Sequence, residues 1–198
     1  MKKGTVIAWL FILFSGVAAF FWYYDWKYSL PTPVPENYKA VNAGVVLNLP
    51  ASVKENNGKP LFLHFFNPSC PCSRFNMAHF KSLVKQHSGE VNFKIVVMSD
   101  KEYTAKDIQD KFDLQLPVLF DTALATTCGV YSTPQAVIIN SDQELFYRGN
   151  YNRSRYCSDK KTEYARVAIE GLLQHNPVQH FDQFALKAYG CQLPRCTK

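Results

Sequence analysis

The feature that most restricts this chain is the run over residues 4–24, which carries no charged side chain and is interrupted among apolar residues by little more than Thr5, Ser15 and Gly16. In a hydrocarbon layer, backbone N–H and C=O groups have no water to bond. Such a segment therefore has one solution, a helix that satisfies its own hydrogen bonds. At about 1.5 Å per residue the run spans a hydrocarbon core of roughly 30 Å. Lys2 and Lys3 precede it, and Trp22, Tyr23, Tyr24, Trp26 and Tyr28 crowd its far end. Positive charge stays on the cytoplasmic side and amphipathic rings favour the interface, so the remainder of the chain is expected outside the cytoplasm. The alternative is a cleaved signal peptide, with a poor cleavage site at residues 17–19, and it exports the rest of the chain just the same. The expectation is a single-pass protein of a bacterial inner (cytoplasmic) membrane. Residues 1–28 form a signal anchor, residues 4–24 lie in lipid, and the globular part is periplasmic.

With 47% hydrophobic and 15% aromatic residues, the chain is rich enough to bury a core beyond that run. The net charge of +6 includes the two N-terminal lysines, and the excess is too small to imply nucleic acid. No Gly-rich phosphate loop is present, so neither nucleotide chemistry nor an organic cofactor is expected. Pro31, Pro33 and Pro35 alternate along residues 29–37, which reads as a stiff linker holding the domain off the bilayer. Residues 38–176 then form one domain, and 177–198 a helical extension with a cysteine tail.

Within the domain, the apolar pattern switches period in an orderly way. Residues 61–66 are a buried-type strand between Pro60 and Pro68, and a strand is also possible over 44–49. A helix comes next, with Phe75, Phe80, Leu83 and Val84 on its apolar face. Residues 91–98 read as a strand, 104–112 as a helix, 117–120 as a short strand and 122–130 as a short helix. Residues 136–140 and 144–148 form a hairpin around Ser141, Asp142 and Gln143. Residues 161–174 form an amphipathic helix with Tyr164, Val167, Ala168 and Leu172 on one side, and a last helix is expected over 178–189. Strands alternating with helices and closed by a hairpin argue for an α/β fold with a central mixed sheet flanked by helices.

The chemistry concentrates at Phe65-Phe66-Asn67-Pro68-Ser69-Cys70-Pro71-Cys72-Ser73-Arg74, where a buried strand gives way to a helix. A helix N-terminus offers unpaired N–H groups and the positive end of a dipole, which stabilise a thiolate, and Arg74 adds a cation. Cys70 and Cys72 are the candidate redox pair. Closing a bond across the single residue Pro71 makes a small, strained ring, so such a pair is expected to be oxidising or isomerase-like.

This strand, cysteine pair and helix, followed by Leu116-Pro117-Val118-Leu119-Phe120-Asp121 and by Cys128-Gly129-Val130-Tyr131-Ser132-Thr133-Pro134-Gln135-Ala136-Val137, resembles the thioredoxin superfamily. The nearest likeness is to its membrane-tethered bacterial reductase and peroxiredoxin-related branch. The resemblance implies a thioredoxin-like fold and places Cys70 as the attacking cysteine. It implies a cis Pro134 facing the cysteines, with the Thr133 backbone pairing an extended substrate, and protein thiols and disulfides as substrates. His64 stands where the family keeps a buried polar group beneath the disulfide, as a proton carrier or simply as a histidine satisfied by a neighbour. The departure is the spacing: the family separates its cysteines by two residues, and here Ser73 takes the second position.

Cys128 and Cys157 are further pairing candidates for either thiol, and Arg153 and Arg155 precede Cys157 in the same loop. Cys191 and Cys196 read as a structural disulfide, with Cys157 an alternative partner, since six cysteines allow fifteen connectivities. Three rival functions remain. Two soft thiolates suit Cu(I), with Met77 completing the shell and His64 or His79 as other candidates, as in copper chaperones of the same fold. A peroxidase would use Cys70 or Cys72. A non-catalytic domain would use every cysteine as a stabilising bridge.

Overall fold

A computed structural model describes residues 2–55, 57–176 and 181–193. Lys2–Ser29 is a single helix, α1, long and apolar enough to cross a membrane, with Val6, Leu10, Phe14 and Phe21 exposed along it. A helix apolar on every side has no core-facing stripe and needs an apolar surrounding.

The domain is built on strand β1 (Leu61–Phe66). It pairs in parallel with β2 (Asn92–Val97), and β2 in parallel with β3 (Val118–Leu119). Parallel strands need a crossover, and α2 (Pro71–His87) supplies it between β1 and β2. After α3 (Ala105–Phe112), α4 (Ala123–Thr127) and the two-residue β4 (Ser132–Thr133), the hairpin of β5 (Gln135–Ile139) and β6 (Leu145–Gly149) lies antiparallel on the other side of β1. The sheet order is β3-β2-β1-β5-β6. Helix α5 (Tyr164–Leu173) packs on the hairpin, and the short α6 (Gln183–Leu186) leads to β7 (Cys191–Gln192).

Both faces of the sheet are covered, which is why β1 is apolar almost throughout yet still alternates. Phe62 and Phe66 join Phe80, Leu83, Ile95 and Ile169 in one cluster, whereas Leu63 and Phe65 join Leu49, Val96, Leu124 and Val137 in the other. The result is the expected thioredoxin-like α/β fold with a central mixed sheet.

Several local expectations differ from what is observed. Residues 44–49 make an isolated bridge from Val46 to Glu144 rather than a strand, because the chain bends at Gly44, whose φ is 83°. Phe75 and Val167 are exposed rather than on the apolar faces of their helices, and Phe75 packs edge-on against Tyr156. The helix expected from 161 opens as a tight turn at Lys160–Thr162, and α5 begins after Glu163 leaves helical geometry. The helix expected over 178–189 is the single turn α6, capped by Asp182 and ended where Lys187 becomes extended; residues 177–180 lie outside the described residues. The proline segment is not clear of the domain, since Thr32 is buried and its N–H donates to Ala188 O at 2.8 Å.

Candidate functional site

The turn from β1 into α2 is held by its own polar atoms. Asn67 Oδ1 accepts from Ser69 N at 2.9 Å, Asn67 O accepts from Cys70 N at 3.0 Å, and Ser73 Oγ accepts from Asn67 N at 3.1 Å. Ser69 Oγ and Tyr103 OH share a 2.9 Å hydrogen bond. Cys70 is the N-cap of α2, extended at φ −85° and ψ 127°, and Pro71 comes next, where a missing N–H costs nothing. Ser73, at the position of the family's second cysteine, is fully buried and ties the turn down instead of carrying a thiol. Cys70 is 0% exposed and Cys72 6%, and both stand at the start of a 17-residue helix.

Facing them, the Thr133–Pro134 peptide is cis, as the resemblance implies, and β4 immediately precedes it. β4 pairs antiparallel with β7, setting Ser132 opposite Gln192 and Thr133 opposite Cys191. The sulfurs of Cys70, Cys72 and Cys191 consequently lie within 4.8 Å of one another, and Cys70 Sγ is 2.7 Å from Cys191 Sγ. Interaction with Cys70, then with Cys72, then burial, pushes the Cys191 thiol well above the usual thiol range.

The tail carrying Cys191 is anchored at several points. Asn150 Nδ2 donates to Phe184 O at 2.7 Å and to Lys187 O at 2.6 Å, while Asn150 N donates to Ala185 O at 2.8 Å. Thr32 Oγ1 donates to Gly190 O at 2.6 Å. A Cβ at Gly149 would run into Ala185 O, and one at Gly190 into Thr133 O, so glycine at both positions lets the tail close down on the sheet.

The other candidate residues occupy varied settings. His64 is fully buried on the α2 side of β1, stacked on Phe80 at 4.2 Å, with Nδ1 2.5 Å from Tyr151 OH. Burial lowers its pKa to about 3, so it is neutral near pH 7, and its Nε2 has no hydrogen-bond partner among the described residues. Met77 packs in the aromatic cluster with Phe66 and Phe80, apart from the three sulfurs. His79 is buried, and desolvation lowers its pKa. Cys157 Sγ donates to Asn76 Oδ1 at 2.7 Å, and burial pushes the thiol up to about 12. Cys128 sits in the cluster on the opposite face of the sheet, its thiol likewise pushed up to about 12 by burial. Cys196 lies outside the described residues.

A cavity of about 310 Å³ opens beside the sulfurs, lined by Cys72, Pro134, Tyr151, Arg153, Tyr156 and Gly190, with Asp25 and Tyr28 of α1 at its rim. Tyr28 packs directly on the three cysteines. The Arg155 guanidinium lies over the Tyr28 ring at 4.7 Å and 3.7 Å from Asp25. The residue that sequence reasoning left out of the site is Cys191: it was read as a partner of Cys196 or Cys157, and strand pairing across the fold sets it beside Cys70. The signal available in the sequence was Gly190 immediately before it.

Comparison with known proteins agrees with this architecture. A family model described as "Domain of unknown function (DUF6436)" matches residues 39–196. The thiol-disulfide oxidoreductase ResA of Halalkalibacterium halodurans is 26% identical over 96 residues, 47% of this chain and 54% of that protein, so the match spans about half of the relative's length. Among solved structures, a hypothetical protein from Sinorhizobium meliloti 1021 superposes with a TM-score of 0.62 at 15% identity, covering 79% of this chain and 96% of that one. An uncharacterized conserved protein from Geobacillus kaustophilus gives 0.57 at 18% identity, covering 79% and 94%. At these identities the two structures speak to the fold.

Proposed function

The chain belongs to the DUF6436 family, and from its sulfur site we propose that it is a thiol-disulfide oxidoreductase, tethered to a membrane by α1 and acting on protein thiols and disulfides in the periplasm. The observation that carries the reading is Cys70 at the N-cap of α2, opposite the cis Thr133–Pro134 peptide and with two further sulfurs within reach. Cys70 thiolate attacks a substrate disulfide, one substrate sulfur leaves as a thiolate and takes up a proton, and a mixed disulfide remains on Cys70. A second protein thiol then attacks Cys70 Sγ, releasing the other substrate thiol. Two electrons have passed from the protein to the substrate, and the reverse sequence oxidises a dithiol. Cys72 is the nearest second thiol in sequence, and Thr133 and Pro134 border the substrate's path. His64 contributes a fixed neutral ring rather than a mobile proton near neutral pH. On this reading the chain divides into an anchor over 1–28, a linker over 29–37, a redox domain over 38–176 and a tail over 177–198.

The test is equilibration of the full chain in detergent micelles against glutathione, with thiol labelling and mass spectrometry of each cysteine. A reversible two-electron transition that involves Cys70 and vanishes in Cys70→Ser supports the reading. Thiols that stay independent across the glutathione range overturn it.

A second reading is favoured by one observation, the three buried thiols within 4.8 Å of one another, which suit a soft ion such as Cu(I). The ligands would be Cys70, Cys72 and Cys191 rather than Met77. Competition of the reduced chain with a modest Cu(I) chelator decides it: no transfer of copper removes this reading.

A further inference from the structure

Disulfide exchange at Cys70 leaves open which thiol completes it, and the fold bears on the answer. Cys70 is 0% exposed with the tail seated, so whenever β7 is closed the thiol that meets its sulfur is one of the protein's own. Among the described residues, Cys72 and Cys191 are the two sulfurs in range. They differ in how they are delivered. Cys72 shares the first turn of α2 with Cys70, across the single residue Pro71. Cys191 arrives on a separate strand whose backbone is fixed on both sides: Thr133 pairs opposite Cys191, Thr32 holds the Gly190 carbonyl, and Asn150 holds the carbonyls of Phe184 and Lys187 upstream. Gly190 permits this closeness, since a side chain there would collide with the Thr133 carbonyl. The outcome is a 2.7 Å approach of Cys191 Sγ to Cys70 Sγ.

We propose that Cys191 is a third redox-active cysteine, presented by β7 as the resolving thiol of Cys70. The proposal rests on the exchange reading and deepens it. Cys70 thiolate attacks a substrate disulfide with β7 lifted from Thr133, forming the mixed disulfide and releasing the first substrate thiol. β7 then pairs again with β4; with Cys70 tied up in the mixed disulfide, the foremost interaction that raises the Cys191 thiol is gone, and Cys191 attacks Cys70 Sγ. The Cys70–Cys191 bond forms, the Cys70–substrate bond breaks, and the departing substrate thiolate takes up the proton that Cys191 gives up. Two protein thiols become one disulfide as one substrate disulfide becomes two thiols. An external dithiol then reduces the Cys70–Cys191 bond, becoming a disulfide itself, and returns the protein to its starting state.

The experiment uses the reduced full chain in detergent micelles and a chromogenic aryl disulfide as the probe, with circular dichroism to confirm that each variant is folded. In Cys191→Ser, the probe adduct on Cys70, identified by mass spectrometry, is expected to live at least about tenfold longer than in the wild type and in Cys72→Ser, because an intramolecular thiol has been removed. Gly190→Ala retains every sulfur but unseats β7, so it is expected to prolong the adduct in the same direction. Mapping of the oxidised wild type is expected to give a Cys70–Cys191 peptide. A long-lived adduct in Cys72→Ser with wild-type behaviour in Cys191→Ser overturns the proposal, as does a Cys70–Cys72 or Cys191–Cys196 bond in its place. Absence of any Cys70 adduct in every one of these proteins would instead sink the exchange reading itself.

Discussion

Cys70 and Cys128 are both 0% exposed, yet they sit in opposite chemical settings. Cys128 packs among Leu124, Val130 and Val137 on one face of the sheet, where burial pushes its thiol up to about 12 and leaves it a small apolar side chain. Cys70 caps a helix at the end of β1, with two other sulfurs around it and a cavity beside it. Burial alone therefore says little about a cysteine. What distinguishes the two is whether the buried atom stands at a helix start with further sulfurs beside it.

The sharpest way to break this contrast is to exchange the two thiols for hydroxyls. Cys70→Ser is expected to lower disulfide exchange by at least about a thousandfold, as loss of a nucleophile does, while Cys128→Ser changes the rate less than about twofold. A stopped-flow assay with a small disulfide checks both, and comparable losses would erase the distinction. Next in size is a pH effect at His64. Its folded pKa, about 3, is depressed below the ordinary 6.5, so between these values the unfolded chain binds a proton that the folded chain does not. Stability is thus full above about pH 6.5 and falls toward pH 3, by on the order of a few kcal/mol. Urea unfolding of wild type and His64→Phe should show this slope in the wild type and a flatter one in the variant.

Smaller still, Asn150→Ala leaves the Phe184 and Lys187 carbonyls without their donor and should cost about 1–3 kcal/mol, with faster hydrogen exchange confined to the tail. If the tail stays protected, Asn150 is not what anchors it. Cys128→Ser buries a hydroxyl in an apolar cluster and is expected to cost about 1–3 kcal/mol in the same unfolding assay. The smallest effect concerns labelling. Alkylation of native Cys128 should remain slow with no inflection up to about pH 10, because its thiol lies at about 12 and is covered. An inflection near pH 8 to 9 would show it to be an ordinary accessible thiol.

Much of the framework was legible from local pattern. The apolar run became α1, Leu61–Phe66 became the central strand, and the junction where that strand gives way to a helix fell at the cysteine pair, as the change of apolar period implied. Thr104 and Asp107 form the capping box that opens α3 close to where its pattern begins. What local pattern missed depends on distant partners. Phe75 fits an apolar helical face by spacing, but its side of α2 looks toward Tyr156 and solvent. Cys191 is close to Cys196 in the chain, but β7 pairs with a strand about 60 residues upstream. No periodicity in a two-residue strand announces such a register. His64 was readable as a buried polar group, but not its neutral state, which comes from its complete burial, with Phe66 and Phe80 stacked on it.

Tyr28 packs against the sulfur cluster, and with Asp25 it borders the reactive cavity, so the end of α1 is part of the site's wall. Whatever holds that helix therefore also holds the site: were α1 seated in a bilayer as proposed, the length of helix between the lipid surface and Tyr28 would set how far the sulfurs stand from it.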